Sequence, residues 1–94
     1  MSKYYQSDLL RTLRNQIPID TVIVDMLNLD QRHHETLLRF RCPVCHNFHT
    51  ATNPKTNLAR CFDCRKNFNP IDLVMAVTQC RFVDAVERLK KVAP

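Results

Sequence analysis

Two pairs of cysteines constrain the fold of this chain more than any other feature. Each pair is spaced by two residues and fifteen residues separate the pairs, which are Cys42 with Cys45 and Cys61 with Cys64. Two intervening residues let both sulfurs of a tight turn reach one ion, and a hairpin of about fifteen residues brings the second turn beside the first. The spacing predicts a zinc ribbon with one Zn²⁺; two disulfides or a rubredoxin-like iron centre are the alternatives.

A complete set of four thiolates also predicts the role of the metal. A tetrahedral site closed by sulfur has no free position for an activating water, so the zinc is expected to be structural. His46 and His49 are interpreted as exposed residues, because the thiolates already fill the coordination shell. His33 and His34 are interpreted as solvated loop residues, and Cys80 as a small core residue between two helices.

The chain is short enough to need such a metal. Its 94 residues make one small domain, which buries little apolar surface without a further constraint. An odd number of cysteines, five in all, fits metal ligation in a reducing compartment better than a disulfide framework. The N-terminus does not resemble a signal peptide, and no apolar run approaches the roughly 20 residues of a membrane span. We therefore expect a soluble, cytoplasmic protein.

The net charge of +5 is concentrated on the cysteine segment. Residues 1–38 sum to −1, residues 39–69 to +5 and residues 70–94 to +1. Coordination of Zn²⁺ by four thiolates lowers the middle segment by about two charges and still leaves it the basic part of the chain. Such a concentration of charge indicates a polyanionic partner, and nucleic acid is the expected one. The alternative is a solvated surface whose cations are merely exposed.

Basic and aromatic residues alternate in this segment. Cations can contact phosphates, while aromatic rings such as Phe48 and Phe62 can stack on unpaired bases. Phe62, which lies between two ligands, fits a core position equally well, and Phe40 is expected in the core. The predicted nucleic-acid-binding residues are Arg39, Arg41, Lys55, Arg60, Phe62, Arg65 and Lys66.

No catalytic site is predicted. The seven aspartates and two glutamates are scattered, without a close acidic group that would hold catalytic Mg²⁺. The chain also has no glycine, and therefore no glycine-rich phosphate loop. Cysteine turns normally need a residue that tolerates positive φ, and asparagine is the usual substitute for glycine. The residues expected to fill this role are Asn47, Asn57, Asn67 and Asn69.

Apolar residues at intervals of three and four predict helices at both ends of the chain. Ser7 is the expected N-cap of the first helix, and Pro18 suits the first position of the second. Asn69 is the expected N-cap of a third, with Pro70 at its first position. The expected apolar faces of the second, third and fourth helices are Ile19, Val22, Ile23, Met26 and Leu27; Ile71, Val74, Met75 and Thr78; and Phe82, Ala85, Val86 and Leu89.

An apolar period of two begins at Thr36 and predicts a strand that leads into the first ligand pair. Residues 48–52 and 58–62 are predicted as two further strands, joined by a turn that contains Pro54. In the first strand, Leu38, Phe40 and Cys42 are expected on one face, and Leu37, Arg39 and Arg41 on the other.

These segments predict the α+β class: a small zinc ribbon, made of an antiparallel β-sheet with a four-cysteine zinc site, flanked by N-terminal and C-terminal helices. Residues 1–94 are expected to form a single domain. Its parts are a helical segment at 1–35, the ribbon at 36–69 and two helices at 70–94.

Several sequence blocks occur in a distinctive order. They are Ser7-Asp8-Leu9-Leu10, the helix from Ile19 to Met26, Cys42-Pro43-Val44-Cys45, Cys61-Phe62-Asp63-Cys64, Asn69 to Met75, and Phe82 to Leu89. This order resembles the N-terminal zinc-binding domain of bacterial and phage DNA primases. The last two blocks are the most specific, since ordinary zinc ribbons lack them. A cysteine as the second ligand is closer to the phage type.

The resemblance implies zinc ligation by the four cysteines and contacts with a trinucleotide on single-stranded template DNA. It also implies support of primer synthesis in DNA replication by a polymerase domain outside this chain, with no enzymatic activity of its own. The chain is then either an excised domain or a stand-alone relative, such as one encoded by a mobile genetic element.

An alternative function is a protein-protein interaction module. The apolar face of residues 19–27, or the ribbon surface, would dock a primase polymerase, a helicase or a single-strand binding protein without binding DNA. A transcription regulator is less favoured, because no recognition helix with base-reading side chains stands out.

Overall fold

A five-stranded antiparallel sheet organises the part of the chain that the computed structural model describes, residues 5–34 and 37–93. The strands are neighbours in chain order, so the sheet is a meander. They are β1 (Gln31–His34), β2 (Leu37–Phe40), β3 (Thr50–Asn53), β4 (Leu58–Cys61) and β5 (Asn67–Phe68). With the helices below, this confirms the predicted α+β class.

The three predicted strands correspond to β2, β3 and β4, whereas β1 and β5 were not predicted. His33 and His34 belong to β1, so their assignment to a loop was wrong. All four residues of β1 are polar, and apolar alternation therefore gives no signal there, while β5 has only two residues. The predicted start at Thr36 lies outside the described residues.

The predicted alternation of buried and exposed side chains from Leu38 to Cys42 is confirmed. Leu38, Phe40 and Cys42 are buried, and Arg39 and Arg41 are exposed. The side chain of Leu37 lies outside the described part.

One row of residues crosses the sheet on the face opposite this buried one. Partners in an antiparallel register point to the same face. The register places Arg32 opposite Arg39, Arg39 opposite Ala51, Ala51 opposite Arg60 and Arg60 opposite Asn67. Ala51 is half-buried and the other four are exposed. We call the face that carries these five residues the open face.

Helices precede and follow the sheet in the sequence. They are α1 (Ser7–Asn15), α2 (Ile19–Thr21), which continues as a π-helix (Val22–Met26), α3 (Pro70–Thr78) and α4 (Phe82–Lys90). Gln6, not Ser7, is the N-cap of α1, and Pro18 is the N-cap of α2 instead of its first residue. None of the helices in the described residues is long and apolar enough to cross a bilayer.

The second helix is wider than predicted. The amide of Leu27 bonds to the carbonyl of Val22 at 2.9 Å, five residues back, and the helix is followed by Asn28 in a left-handed conformation with φ 48°. The spacing of apolar residues identified the buried face of this helix, but it does not report the width of each turn.

The start of α3 has the predicted capping. Asn69 Oδ1 accepts from the amide of Asp72 at 2.8 Å, and Asp72 Oδ2 accepts from the amide of Asn69 at 3.2 Å. Ile71 and Val74 are buried as predicted, and so is Leu73, which was not predicted.

Phe82 departs from the predicted face of α4. Ala85, Val86 and Leu89 are buried, but Phe82 is 41% exposed. It is the first residue of α4, beyond the edge of the core, and its ring packs edge-on against Tyr5 at 6.3 Å between centroids.

One hydrophobic core joins the sheet to the helices. Leu13 of α1, Phe40 of β2 and Leu73 of α3 are all 0% exposed and belong to it. Ile19 and Val22 enter the same core, so the apolar face of the second helix is covered by this chain itself. The prediction that this face docks a partner protein was therefore wrong.

Asn57 ties the helices to the turn between β3 and β4. Its φ is 55°, the left-handed conformation that was predicted, and it is only 8% exposed. Its Nδ2 donates to the carbonyls of Arg14 and Ile17, each at 2.7 Å. Its Oδ1 accepts from the amide of Ile19 at 2.8 Å. One side chain thereby satisfies backbone groups at the junction of α1 and α2.

We expect Asn57→Ala to lower the free energy of unfolding by about 3 kcal/mol. Three hydrogen bonds are lost, and the alanine must still adopt the left-handed conformation, which alanine tolerates less well than asparagine. Chemical denaturation measures this value. Asn53→Ala is the matched control at the other end of the same turn, because the Asn53 side chain is exposed and, among the described residues, accepts a single hydrogen bond, from the amide of Lys55. The control should lose less than about 1 kcal/mol, and equal losses would contradict the role of Asn57.

Candidate metal centre

Both cysteine turns lie at the same end of the sheet. Strands β2 and β4 run in the same direction, because β3 lies antiparallel between them. Cys42 follows the last residue of β2 by two positions, and Cys61 is the last residue of β4. Thr50, the first residue of β3, pairs with Phe40 on one side and with Cys61 on the other. The sheet therefore brings the two turns together.

The four sulfurs converge on one point. Each Sγ lies within 4.8 Å of the others. The distance is 3.8 Å between Cys42 and Cys64 and 3.5 Å between Cys45 and Cys61. With Zn–S bonds of about 2.3 Å, tetrahedral geometry places sulfurs about 3.8 Å apart. The donor set and its spacing fit one zinc ion, and the five cysteines are free of disulfides.

The two cysteine turns share one backbone arrangement. In each, the amide of the first cysteine donates to the carbonyl five residues later, and its sulfur accepts from the amide of the second cysteine. The amide-to-carbonyl bonds, from Cys42 to Asn47 and from Cys61 to Lys66, are both 2.9 Å long. The amide-to-sulfur bonds, from Cys45 to Cys42 and from Cys64 to Cys61, are both 3.5 Å long. Amide donors of this kind orient and stabilise thiolate ligands.

The left-handed residues of these turns are not the predicted ones. His46, with φ 66°, and Arg65, with φ 59°, each follow the second cysteine of their pair. Among the predicted asparagines, only Asn57 has positive φ. Whether a residue of these turns is left-handed therefore depends on its place directly after the second cysteine, and not on its residue type. Corresponding residues of the two turns are nineteen positions apart in the sequence. An alignment of the two turns with this offset would have shown that His46 and Arg65 occupy the same position.

Burial and hydrogen bonds set the pKa values of the thiols. Burial is the largest effect on Cys42 and raises its pKa to about 12, against amide hydrogen bonds from Cys45 and Val44. Burial also acts to raise the pKa of Cys61, but hydrogen bonds from the Cys64 amide and neighbouring thiols outweigh it, and this pKa falls to about 7. Burial raises the pKa of Cys64. Since zinc binds thiolates, its binding displaces the remaining protons.

The neighbouring histidines are not part of the sulfur cluster. Among the described residues, the four cysteines form the metal-binding cluster. His49 Nδ1 lies 2.8 Å from Asp63 Oδ2, which joins the two cysteine turns outside the sulfur cluster. His46 is exposed and fills a left-handed position. Cys80 is half-buried against the hydrophobic core, next to the helices as predicted.

Four of the predicted nucleic-acid-binding residues lie on or beside the open face. Arg39 and Arg60 belong to its central row. Lys55, Arg60 and Phe62 line an adjoining groove of about 530 Å³. Phe62 is 61% exposed, so a core position for it is excluded.

The other three predicted residues lie outside the central row and the groove beside it. Arg65 fills the left-handed position of the second cysteine turn, and Lys66 lines a different groove, which α3 borders. Arg41 is held in place: its Nε lies 3.3 Å from Asp30 Oδ2, and its Nη1 donates to the carbonyl of His46 at 3.0 Å.

Arg32 joins the central row without having been predicted. It is exposed on β1, directly opposite Arg39. Its position depends on pairing between β1 and β2, and the sequence of β1 carries no apolar signal for a strand.

The chain matches a known protein family. A family model described as CHC2 zinc finger matches residues 5–93, nearly the whole chain. The match includes both cysteine pairs and the helices on either side of them. A search of curated proteins finds no significant match.

Removal of zinc by a strong chelator is expected to abolish the cooperative unfolding transition. Zinc binding to structural sites supplies about 10–16 kcal/mol, as much as or more than the whole stability of a small domain. Thermal melting followed by circular dichroism tests this, together with elemental analysis for one zinc per chain.

Two half-buried cysteines provide matched variants for the same experiment. Cys64→Ser should lose zinc, whereas Cys80→Ser should retain it, because the Cys80 side chain lies outside the sulfur cluster. A chain that contains no zinc and melts identically with and without chelator would overturn the zinc centre.

Proposed function

This chain belongs to the CHC2 zinc-finger family, the zinc-binding domain of primases, as its sequence predicted, and from this membership we propose that it binds single-stranded template DNA. Domains of this type are not themselves catalytic. The bound template would support primer synthesis by a polymerase domain supplied elsewhere. The proposed zinc ligands are Cys42, Cys45, Cys61 and Cys64.

The observation that supports this function best is the row of cations across the open face. Three of the five residues in the row are arginines, and none is acidic. Neighbouring strands are about 4.8 Å apart, so five strands span about 19 Å. At about 3.4 Å per stacked nucleotide, this length matches roughly six nucleotides of a single strand. We propose that the strand crosses the sheet along this row, and not parallel to β1–β5.

The groove beside the row offers the second kind of contact that single strands need. Phe62 has an exposed ring at the edge of this groove, and Lys55 and Arg60 lie on its wall. Aromatic rings stack on unpaired bases, and adjacent cations contact the phosphates that follow. The groove therefore combines base stacking with charge on one surface.

The metal supports this surface through the strands that carry it. Arg60 directly precedes the ligand Cys61, and Arg39 lies on β2, which leads to Cys42. A zinc ion that fixes the common end of β2 and β4 would also fix the spacing between these two arginines. Zinc thus serves DNA binding indirectly, by holding the row in register.

We further propose that residues 1–94 act as a single domain. Residues of the N-terminal helices, the ribbon and the C-terminal helices enter the same core, represented by Leu13, Phe40 and Leu73. Replication proteins are the expected protein partners of a primase-type domain. Any docking would use the ribbon surface, because the face of residues 19–27 is covered within the chain.

Single-strand binding should weaken when the groove loses charge. We expect Lys55→Ala and Arg60→Ala each to reduce affinity for an octathymidylate about threefold to fivefold, and to reduce the slope of log affinity against log salt by about 0.7. Fluorescence anisotropy of the zinc-loaded chain over a salt series measures both quantities.

Arg11→Ala is the matched control, because Arg11 is an exposed cation of α1, outside the sheet. It should leave affinity nearly unchanged. Binding that is undetectable at low salt, or that is insensitive to salt, would refute the proposed function.

A further inference from the structure

Two arginines contact one phenylalanine where β1 meets β2, and a third arginine lies next to them on the sheet. Arg32 and Arg39 face each other across the two strands, and Arg41 directly follows the last residue of β2. Phe48 lies beside them in the loop before β3. We call Arg32, Arg39, Arg41 and Phe48 the Phe48 cluster.

The ring of Phe48 positions two of these guanidinium groups. The Cζ atom of Arg32 lies 4.7 Å from the ring centroid, and that of Arg41 lies 5.3 Å from it. Both distances are within the range of a cation–π interaction. With two guanidiniums against it, this ring is less available for base stacking than the exposed ring of Phe62.

The two guanidiniums differ in how much of their hydrogen-bonding capacity is used. Arg41 bonds to Asp30 and to the carbonyl of His46. Within residues 5–34 and 37–93, the side chain of Arg32 contacts Phe48 but makes no hydrogen bond or ion pair. Arg32 thus presents an exposed, oriented guanidinium with free donors.

The arrangement is electrostatically unfavourable without an anion. Like charges directly opposite each other on paired strands repel, and Arg32 stands opposite Arg39. Among the described residues, the carboxylate bonded to the cluster is that of Asp30, which contacts Arg41. A bound anion with several acceptor oxygens would offset the repulsion between Arg32 and Arg39.

We propose that the Phe48 cluster binds a phosphate group of the nucleic-acid strand, with Arg32 as the principal donor and Phe48 as a positioning residue. A guanidinium presents a planar fork of donors that matches two phosphate oxygens. This inference rests on the proposed function and assigns a specific phosphate contact to the β1 end of the row, opposite the end that carries Asn67.

The test compares charge removal at two exposed arginines in the zinc-loaded chain. We expect Arg32→Gln to weaken binding of an octathymidylate about fivefold and to reduce its salt slope by about 0.7, as for the loss of one phosphate contact. Arg11→Gln removes the same charge from α1 and should change neither quantity. The melting temperature of Arg32→Gln should change little, because the variant removes both the repulsion from Arg39 and the cation–π contact with Phe48.

Phe48→Leu tests the positioning role separately. It keeps an apolar side chain but removes the aromatic ring, and it should weaken binding about threefold through the loss of the cation–π contact. In a background that already carries Arg32→Gln, the same change should have little further effect, because Arg41 is also held by Asp30 and His46. Independent effects of the two substitutions would refute the positioning role.

Oligonucleotides with a 5′-phosphate, a 3′-phosphate or neither distinguish the source of the phosphate. A larger effect of Arg32→Gln on one phosphorylated form would identify a terminal phosphate as the ligand. An equal effect on all three would identify an internal phosphate. Both results support the phosphate site.

Other outcomes would overturn this inference. If the wild-type chain binds DNA but Arg32→Gln matches Arg11→Gln, the phosphate site is wrong and the proposed function stands. A loss of affinity that follows a lowered melting temperature would make Arg32 a structural residue. If the wild-type chain binds no single strand at all, the proposed function itself fails.

Discussion

The convergence of four sulfurs at one end of a meander is the constraint on which the rest of this structure depends. Two cysteine turns can meet only if the strands that lead to them, β2 and β4, run in the same direction. A single strand between them, β3, achieves this and fixes the register through Thr50. The same register aligns Arg39 with Arg60 across Ala51. Metal geometry and the cationic row therefore have one common origin.

Local signals in the sequence predicted much of this arrangement. The cysteine spacing predicted the ribbon, and alternation at Leu38 and Phe40 predicted which face of β2 is buried. Asn69 followed by Pro70 predicted the start of α3, because the capping bonds join residues only three apart. In each case the physical cause lies within a few neighbouring residues, where a sequence pattern can report it.

The features that escaped prediction depend on partners distant in sequence or on backbone detail. Asn57 was expected to be left-handed, but its bonds to the α1–α2 junction span about forty residues and leave no local pattern. Strand β1 is polar throughout and becomes a strand by pairing with β2. Arg32 was missed for that reason. The left-handed residues His46 and Arg65 were missed because asparagine is the residue type expected at positive φ. In these turns the left-handed residue is instead the one that directly follows the second cysteine.

The polar sequence of β1 has a consequence for how this molecule meets copies of itself. In the described part of the chain β1 pairs with β2 alone, so one of its edges has backbone groups that another strand could join. Charge is one of the devices by which proteins prevent edge-to-edge aggregation. If a second copy approached with its own β1, the Arg32 side chains of the two four-residue strands would be brought close together, and their repulsion would oppose a continuous intermolecular sheet. The charge of its own side chains therefore protects this sheet edge.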